Sequence, residues 1–237
     1  MRELAALIEM FVKESKAYIL ANLFYLLFFP VAITLGFSYV VRGPYAAYFV
    51  AGTAVLEVSV ATTLSVANWI AMDRDRGRLS FVMSTGVPSW GYAVSASFVN
   101  SVFAIATAYI VFLAARSLGL VELGPEAAAL ALPALVASSF EGAMLGLLLA
   151  SWVRNFRLLT QLSQVVTFVL VFFAPVYYPV AYVPPPLRPL VYLEPTTPQA
   201  MAVRLALAGS PLSLAWSAAS AAYGVALLLA ARTRGLM

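Results

Sequence analysis

Residues 69–81 read WIAMDRDRGRLSF, and five of the six residues from Asp73 to Arg78 are charged. Only 10% of the 237 residues in the whole chain are charged. Apolar segments long enough to cross a bilayer lie on both sides of this stretch. An Arg or Asp at the centre of the hydrocarbon costs about 2.5–3.5 kcal/mol, so the stretch must face water. Its three arginines indicate that this water is the cytoplasm.

The composition predicts a polytopic integral membrane protein. Hydrophobic residues make up 63% of the chain, and the mean hydropathy is +0.93. Globular domains are only about 45–50% apolar. The apolar runs show no two-residue alternation of the kind that a membrane barrel needs, and open sheets cannot satisfy their backbone in lipid. We therefore predict the all-α class.

We predict a single transmembrane domain over residues 1–237 with six membrane-spanning helices. Each apolar run reaches roughly the 20 residues that cross a bilayer. The predicted spans are about 17–41, 45–71, 91–115, 127–151, 158–175 and 212–231. Residues 72–90 then form a loop on the cytoplasmic side, between the second and third spans.

The distribution of basic residues predicts that both termini are cytoplasmic and that the protein resides in the cell membrane. The side of the termini carries ten Lys and Arg residues, namely Arg2, Lys13, Lys16, Arg74, Arg76, Arg78, Arg154, Arg157, Arg232 and Arg234. The opposite side carries four, namely Arg42, Arg116, Arg188 and Arg204. Basic residues are enriched in cytoplasmic loops.

Residues 2–16 form an amphipathic pattern ahead of the first span. The apolar positions Leu4, Leu7, Ile8, Phe11 and Val12 share one helical face. This spacing is typical of a helix that lies in the membrane interface. The alternative is that these residues are simply the cytoplasmic start of the first span. The segment lacks the plan of a signal peptide.

Nine of the fourteen prolines lie between Pro175 and Pro211. This segment stays apolar and aromatic although proline prevents regular helix. We predict that residues 176–211 form short helical pieces that re-enter the outer leaflet, where irregular backbone must be buried in protein or line a cavity. The alternative is a loop on the outer surface. The residues that mark the segment are Pro175, Pro179, Pro184 and Pro195.

Several classes of chemistry are excluded by residue content. The chain has no cysteine and no histidine, so thiolate and imidazole chemistry are absent. It has no GxxxxGK[ST] phosphate-binding loop, so it does not hydrolyse ATP unaided. We predict that the chain is not itself an enzyme and holds no metal or other cofactor. Its net charge of +4 reflects topology and does not indicate a nucleic-acid partner.

Four polar side chains inside predicted spans are candidates for a functional role, namely Glu57, Asn68, Glu141 and Gln164. Acids at this depth usually face a bundle interior or a cavity. They either line a translocation route and contact a polar part of the substrate, or make structural hydrogen bonds between helices. Proton coupling is a third interpretation.

Two further patterns concern how the spans pack. Gly142 and Gly146 form a GxxxG pair in the fourth span, which permits close helix approach. The fifth span has a polar side that faces a pore, a second subunit or a neighbouring helix. That side consists of Thr160, Gln161, Gln164 and Thr167.

Three stretches resemble the membrane-permease subunit of type-2 ATP-binding-cassette (ABC) exporters. Residues 73–88 are similar to the acidic-basic-Gly segment that forms the coupling helix of that family. Residues 146–151 with 154–157 are similar to its junction between spans four and five. Residues 175–204 resemble its proline signature before the last span, with Glu194 where Asn is usual.

The resemblance implies a permease that pairs with a second permease copy and binds two copies of an ABC ATPase. ATP and Mg would be bound by that partner, and the substrate would move outward. The residues expected to couple to the ATPase are Asp73, Arg74, Asp75, Arg76, Gly77, Arg78, Leu79 and Phe81. The three arginines would supply the electrostatic part of docking. Because one surface ion pair contributes only about 0–1 kcal/mol, they must act together with apolar contacts.

Two other functions remain open at this point. One is an ion-coupled secondary transporter that uses Glu57 and Glu141. The other is a membrane scaffold that transports nothing, in which the charged loop only sets topology. Drugs, lipids, polysaccharides and ions all remain candidate substrates, and both homodimer and heterodimer are compatible with the sequence.

Overall fold

The structure is a computed structural model that describes residues 2–16, 20, 24, 28–38, 41 and 43–233. Throughout these residues the regular secondary structure is helical, which confirms the predicted all-α class. Five of the described helices are long and apolar enough to cross a membrane. Residues 17–19, 21–23, 25–27 and 39–40 of the predicted first span lie outside the described residues, so the count of six spans stays a prediction.

The described helices follow the predicted order. The α-helices are α1 (Arg2–Lys16), α2 (Phe29–Ser38), α3 (Ala46–Asp75), α4 (Arg78–Ser84), α5 (Ser89–Ser117), α6 (Pro125–Trp152), α7 (Phe156–Phe173), α8 (Arg188–Leu193), α9 (Thr196–Leu207) and α10 (Leu212–Arg232). Short 3-10 helices lie at Gly43–Tyr45, Val180–Tyr182 and Pro185–Leu187. The second to sixth predicted spans correspond to α3, α5, α6, α7 and α10.

Local sequence explains where the long helices begin. Pro125 lies in the first turn of α6, where its missing N–H is not needed. Asn155 caps α7, because its side-chain oxygen accepts a hydrogen bond from the Leu158 N–H at 3.0 Å. Helix α6 ends at Trp152 and α7 begins at Phe156, so only three residues join the two helices. Helix α7 packs mainly against α3.

Helix α6 lies at the centre of the fold and packs against α3, α5, α9 and α10. On the α3 side, the Thr63 hydroxyl donates to the Gly142 carbonyl at 3.0 Å. A Cβ on Gly146 would lie 2.5 Å from the Thr63 carbonyl oxygen. The close approach predicted from the GxxxG pair is therefore present. On the other side, Phe140 packs over Gly224 of α10.

The buried side chains form two apolar cores with a polar layer between them, and we call them the outer and the inner core after the predicted topology. The outer core contains Val50, Phe112 and Leu135, and the inner core contains Phe11 and Met144. The residues of α3 and α6 that lie between these groups along each helix include buried serines, threonines and an acid, namely Ser59, Thr62, Thr63, Ser138, Ser139 and Glu141. The middle of the bundle is thus held by hydrogen bonds as well as by apolar packing.

Candidate functional site

The charged loop is a helix–turn–helix with an inward and an outward side. Helix α3 ends at Asp75, and Gly77 then adopts a left-handed backbone with φ of 72° before α4 begins. Glycine suits this turn because it carries no Cβ. In α4, Leu79 is 2% exposed and packs in the inner core. Phe81 is 72% exposed and points away from that core.

Asp73 is buried at the base of this loop, with 0% of its surface exposed. The Tyr92 hydroxyl of α5 donates to its Oδ2 at 2.5 Å. Arg78 donates to its Oδ1 from Nε at 2.8 Å and from Nη2 at 2.5 Å. A buried carboxylate needs such donors, because an unpaired charge in a low-dielectric site is strongly unfavourable. Asp73 therefore joins α3, α4 and α5.

Arg78 also binds the N-terminal helix. Its Nη2 donates to Glu14 Oε2 at 3.0 Å, and its Nη1 contacts Glu14 Oε1. The hydrogen bonds that Arg78 donates to Glu14 and, less strongly, to Asp73 raise the pKa of Arg78 above its ordinary value. The guanidinium thus stays charged and holds α1 against the loop.

Aromatic packing supports the same contact between α1 and the bundle. Phe11 of α1 is fully buried and meets the Trp69 ring at 5.1 Å. It also meets the Tyr92 ring edge-on at 5.5 Å. The apolar face predicted for α1 is therefore in part covered by protein rather than by the membrane interface.

Arg74 reaches the inner end of α6. It donates to the Ala150 carbonyl at 2.8 Å and to the Val153 carbonyl at 3.0 Å. These carbonyls belong to the last turn of a helix, which carries a partial negative charge and lacks intrahelical donors. Arg74 therefore fastens α3 to the end of α6 and to the short segment that follows it.

The structure divides the predicted ATPase-coupling residues into two groups. Asp73, Arg74, Arg78 and Leu79 have partners inside the chain. By contrast, Asp75, Arg76, Gly77 and Phe81 are exposed. A direct contact of any of these residues with a partner stays a prediction, and the second group offers the accessible surface for it.

Sequence reasoning missed Glu14 and Tyr92. Glu14 lies 64 residues from its partner Arg78, and Tyr92 lies 19 residues from Asp73. The sequence carries a weak signal for Tyr92 only, as an aromatic at the inner end of a predicted span.

Glu141 lies in a joint between α6 and α10. It is 1% exposed, and the Ser220 hydroxyl donates to its Oε2 at 2.5 Å. The Gln199 side chain of α9 lies beside it, whereas its Oε1 has no hydrogen-bond partner among the described residues. This geometry is that of a structural hydrogen bond between helices, the second interpretation given to this acid.

Glu57, Asn68 and Gln164 lie on less buried faces. Glu57 and Asn68 are half-buried on one side of α3, and Gln164 is exposed on α7. Within the described part of the chain, Glu57 Oε1 has no hydrogen-bond partner. Among the described residues, no hydrogen bond joins Glu57 to Glu141.

The proline-rich segment is tied to the bundle at both ends. Near its start, Tyr177 packs against Gly52 of α3. Near its end, the Thr196 hydroxyl donates to the Leu170 carbonyl of α7 at 3.1 Å. Of the marker prolines, Pro175 is buried and Pro184 is exposed. The other two, Pro179 and Pro195, are half-buried.

No cluster of three or more metal-ligating side chains occurs in the described ranges. What the site does contain is a water-facing charged loop held by side chains from four helices, beneath a bundle of apolar spans. These features define a multi-pass membrane protein with a prominent polar junction at one end of its bundle.

Comparison with known families identifies the class of membrane protein. The family described as ABC-2 type transporter matches residues 7–207. The chain belongs to this family and is an ABC transporter permease, a transmembrane component that is not itself the ATPase. Compared with curated proteins, the chain shows no match.

Proposed function

We propose that the chain is the permease subunit of an ABC exporter that moves its substrate outward across the plasma membrane. A separate ABC ATPase, present in two copies, would bind ATP with Mg and supply the drive. A second permease copy, identical or related, would complete the route. Membership of the ABC-2 type transporter family supports this proposal. The excess of basic residues on the side of the termini supports cytoplasmic termini.

The observation that carries the proposal is the exposed side of the charged loop. We call Asp75, Arg76, Gly77, Ser80 and Phe81 the docking face, since all five are exposed. Phe81 leaves 72% of its surface uncovered beside an arginine, and aromatic and Arg side chains are enriched where proteins bind each other. The ATPase would cover Phe81 and pair with Arg76.

The other coupling residues would support this surface rather than contact the partner. Arg78 and Arg74 already hold α1 and the end of α6. Leu79 fills the inner core beneath the docking face. The electrostatic contribution to docking would therefore come mainly from Arg76.

The translocation route would run along the less buried faces of α3 and α7. Glu57, Asn68 and Gln164 lie on those faces, and polar side chains at membrane depth face protein or water rather than lipid. A second permease copy would cover these faces and enclose the route. Glu141, which already binds Ser220, would stay outside it.

The outer segment would re-enter the membrane. Helix α7 has 18 residues and α6 has 28, so their lengths are about 27 and 42 Å. Because only three residues join the two helices at the inner side, the shorter α7 would end below the outer end of α6. Helix α9 then begins beside Leu170 and Glu141, within the bundle. Its start at that depth supports a re-entrant path.

Co-purification with an ABC ATPase tests this function. The permease and the ATPase would be co-expressed, and their affinity would be measured in lipid nanodiscs together with ATP hydrolysis. We expect Arg76→Glu and Phe81→Asp to weaken ATPase binding at least about tenfold, as losses of interface hot spots do. The matched control is Arg116→Glu, because Arg116 is also exposed but lies at the other end of its span.

Two results would contradict the proposal. Wild-type permease that binds no ABC ATPase would refute the partnership. Equal binding by the wild type and by the two docking-face variants would refute the assignment of this surface. Transport that continues without ATPase but collapses with an uncoupler would instead favour the ion-coupled alternative.

A further inference from the structure

Four side chains from four helices meet at the inner end of the bundle. Glu14 comes from α1, Asp73 from α3, Arg78 from α4 and Tyr92 from α5. We call these four residues the inner junction. Asp73 and Tyr92 are fully buried, so the partner ATPase cannot touch them in this conformation.

We infer that the residues of the inner junction are positioning residues, which make α1, the docking face and the inner ends of α3 and α5 move as one rigid body. This inference rests on the proposed function, because it states how movement of a docked ATPase reaches the spans. Without the junction, the same movement would be absorbed by bending within the loop.

The position of Gly77 explains why the loop needs the contacts of the inner junction to stay rigid. Gly77 is the left-handed turn between α3 and α4, with φ of 72°, and a Cβ there would meet nothing within 4 Å. Glycine allows wide backbone freedom, so this turn is a natural hinge. Arg78, the next residue, binds Asp73 on the other side of this hinge and also binds Glu14 of α1.

Tyr92 fixes the Asp73 carboxylate, on which the inner junction depends. Asp73 accepts through Oδ1 from Arg78 and through Oδ2 from Tyr92. The two donors approach different oxygens, so together they set the orientation of the carboxylate. Loss of the tyrosine hydroxyl leaves a buried charged oxygen without its donor, which is more damaging than the loss of a surface hydrogen bond.

The first experiment measures the rigidity of the junction in the isolated permease. Hydrogen–deuterium exchange would be followed in α1 and α4 for the wild type and for Tyr92→Phe. We expect exchange to rise roughly 10- to 100-fold, as the loss of a hydrogen bond to a buried charge predicts. Tyr109→Phe is the matched control, because Tyr109 lies on the same helix and donates to the Ala128 carbonyl at 2.7 Å. Unchanged exchange in Tyr92→Phe would overturn the inference.

The second experiment measures transmission in the complex. The chain has no cysteine, so Val169→Cys on the exposed face of α7 accepts a single fluorophore. We expect ATP to change its emission in the wild-type background. In Tyr92→Phe, the ATPase should bind with wild-type affinity while most of this change is lost.

The outcomes separate this inference from the proposed function. Normal ATPase binding with a full ATP response in Tyr92→Phe would overturn the inference alone. Absence of ATPase binding to the wild type would overturn the proposed function and the transmission step with it. Loss of binding in Tyr92→Phe would show that the junction shapes the docking face itself, which also contradicts a purely transmitting role.

Discussion

Replacing Gly146 by alanine should force α3 and α6 apart. The added Cβ would lie 2.5 Å from the Thr63 carbonyl oxygen and 3.0 Å from the Val66 Cβ. Both neighbours belong to a helix that cannot move aside locally. The helices must therefore separate by about 0.9 Å, the difference between 2.5 Å and the 3.4 Å at which ordinary contact begins.

The expected loss of stability follows from this overlap. Overpacking of a close contact typically costs about 1–3 kcal/mol. The separation also stretches the hydrogen bond from the Thr63 hydroxyl to the Gly142 carbonyl, which is 3.0 Å long. Alanine has a higher helix propensity than glycine, by about 1 kcal/mol. The control Gly36→Ala has the same gain in stability. A Cβ on Gly36 would meet nothing within 4 Å.

Thermal unfolding in lipid nanodiscs, followed by tryptophan fluorescence, measures the difference. At about 2–4 °C per kcal/mol for a chain of this size, we expect Gly146→Ala to melt about 2–12 °C below Gly36→Ala. Equal melting temperatures would refute the reasoning, because they would mean that the bundle tolerates wider separation of α3 and α6 without loss.

Two further substitutions test single hydrogen bonds in the same unfolding assay. Asn155→Ala removes the cap on the Leu158 N–H and should cost about 0.5–2 kcal/mol, whereas Asn155→Asp should retain most of the stability. Ser220→Ala leaves the buried Glu141 carboxyl without its donor and should cost about 1–3 kcal/mol. Ser217→Ala is its control, because that hydroxyl binds only its own helix. A missing effect in Asn155→Ala, or equal losses from both serine substitutions, would count against these assignments.

Most of the helices were predictable because their signals are local. The thickness of a bilayer sets the length of each apolar run, and α3, α5, α6, α7 and α10 lie close to their predicted positions. The GxxxG pair also predicted a close helix contact correctly, since two glycines four residues apart share one face of a helix. The predicted first span is described only in part and is not tested as a span.

The direction of each side chain in the charged loop was not predictable in the same way. The sequence presents Arg74, Arg76 and Arg78 as equivalent members of one basic cluster. The turn at Gly77 sets the direction of α4 relative to α3. As a result, Arg78 binds within the chain, and Arg76 faces outward. Arg74, which precedes the turn, binds the end of α6 because α3 and α6 pack together.

The sequence by itself determined that this protein is a bundle of membrane-spanning helices with one strongly charged, water-facing loop. Hydropathy and charge act on each segment separately, so they can be read without knowing the partners. Only the tertiary structure decided that Asp73 is buried, that Tyr92 donates to it, and that Arg78 also binds Glu14. These contacts join residues that are far apart in the chain, and a linear pattern does not encode which distant side chains meet once the helices pack.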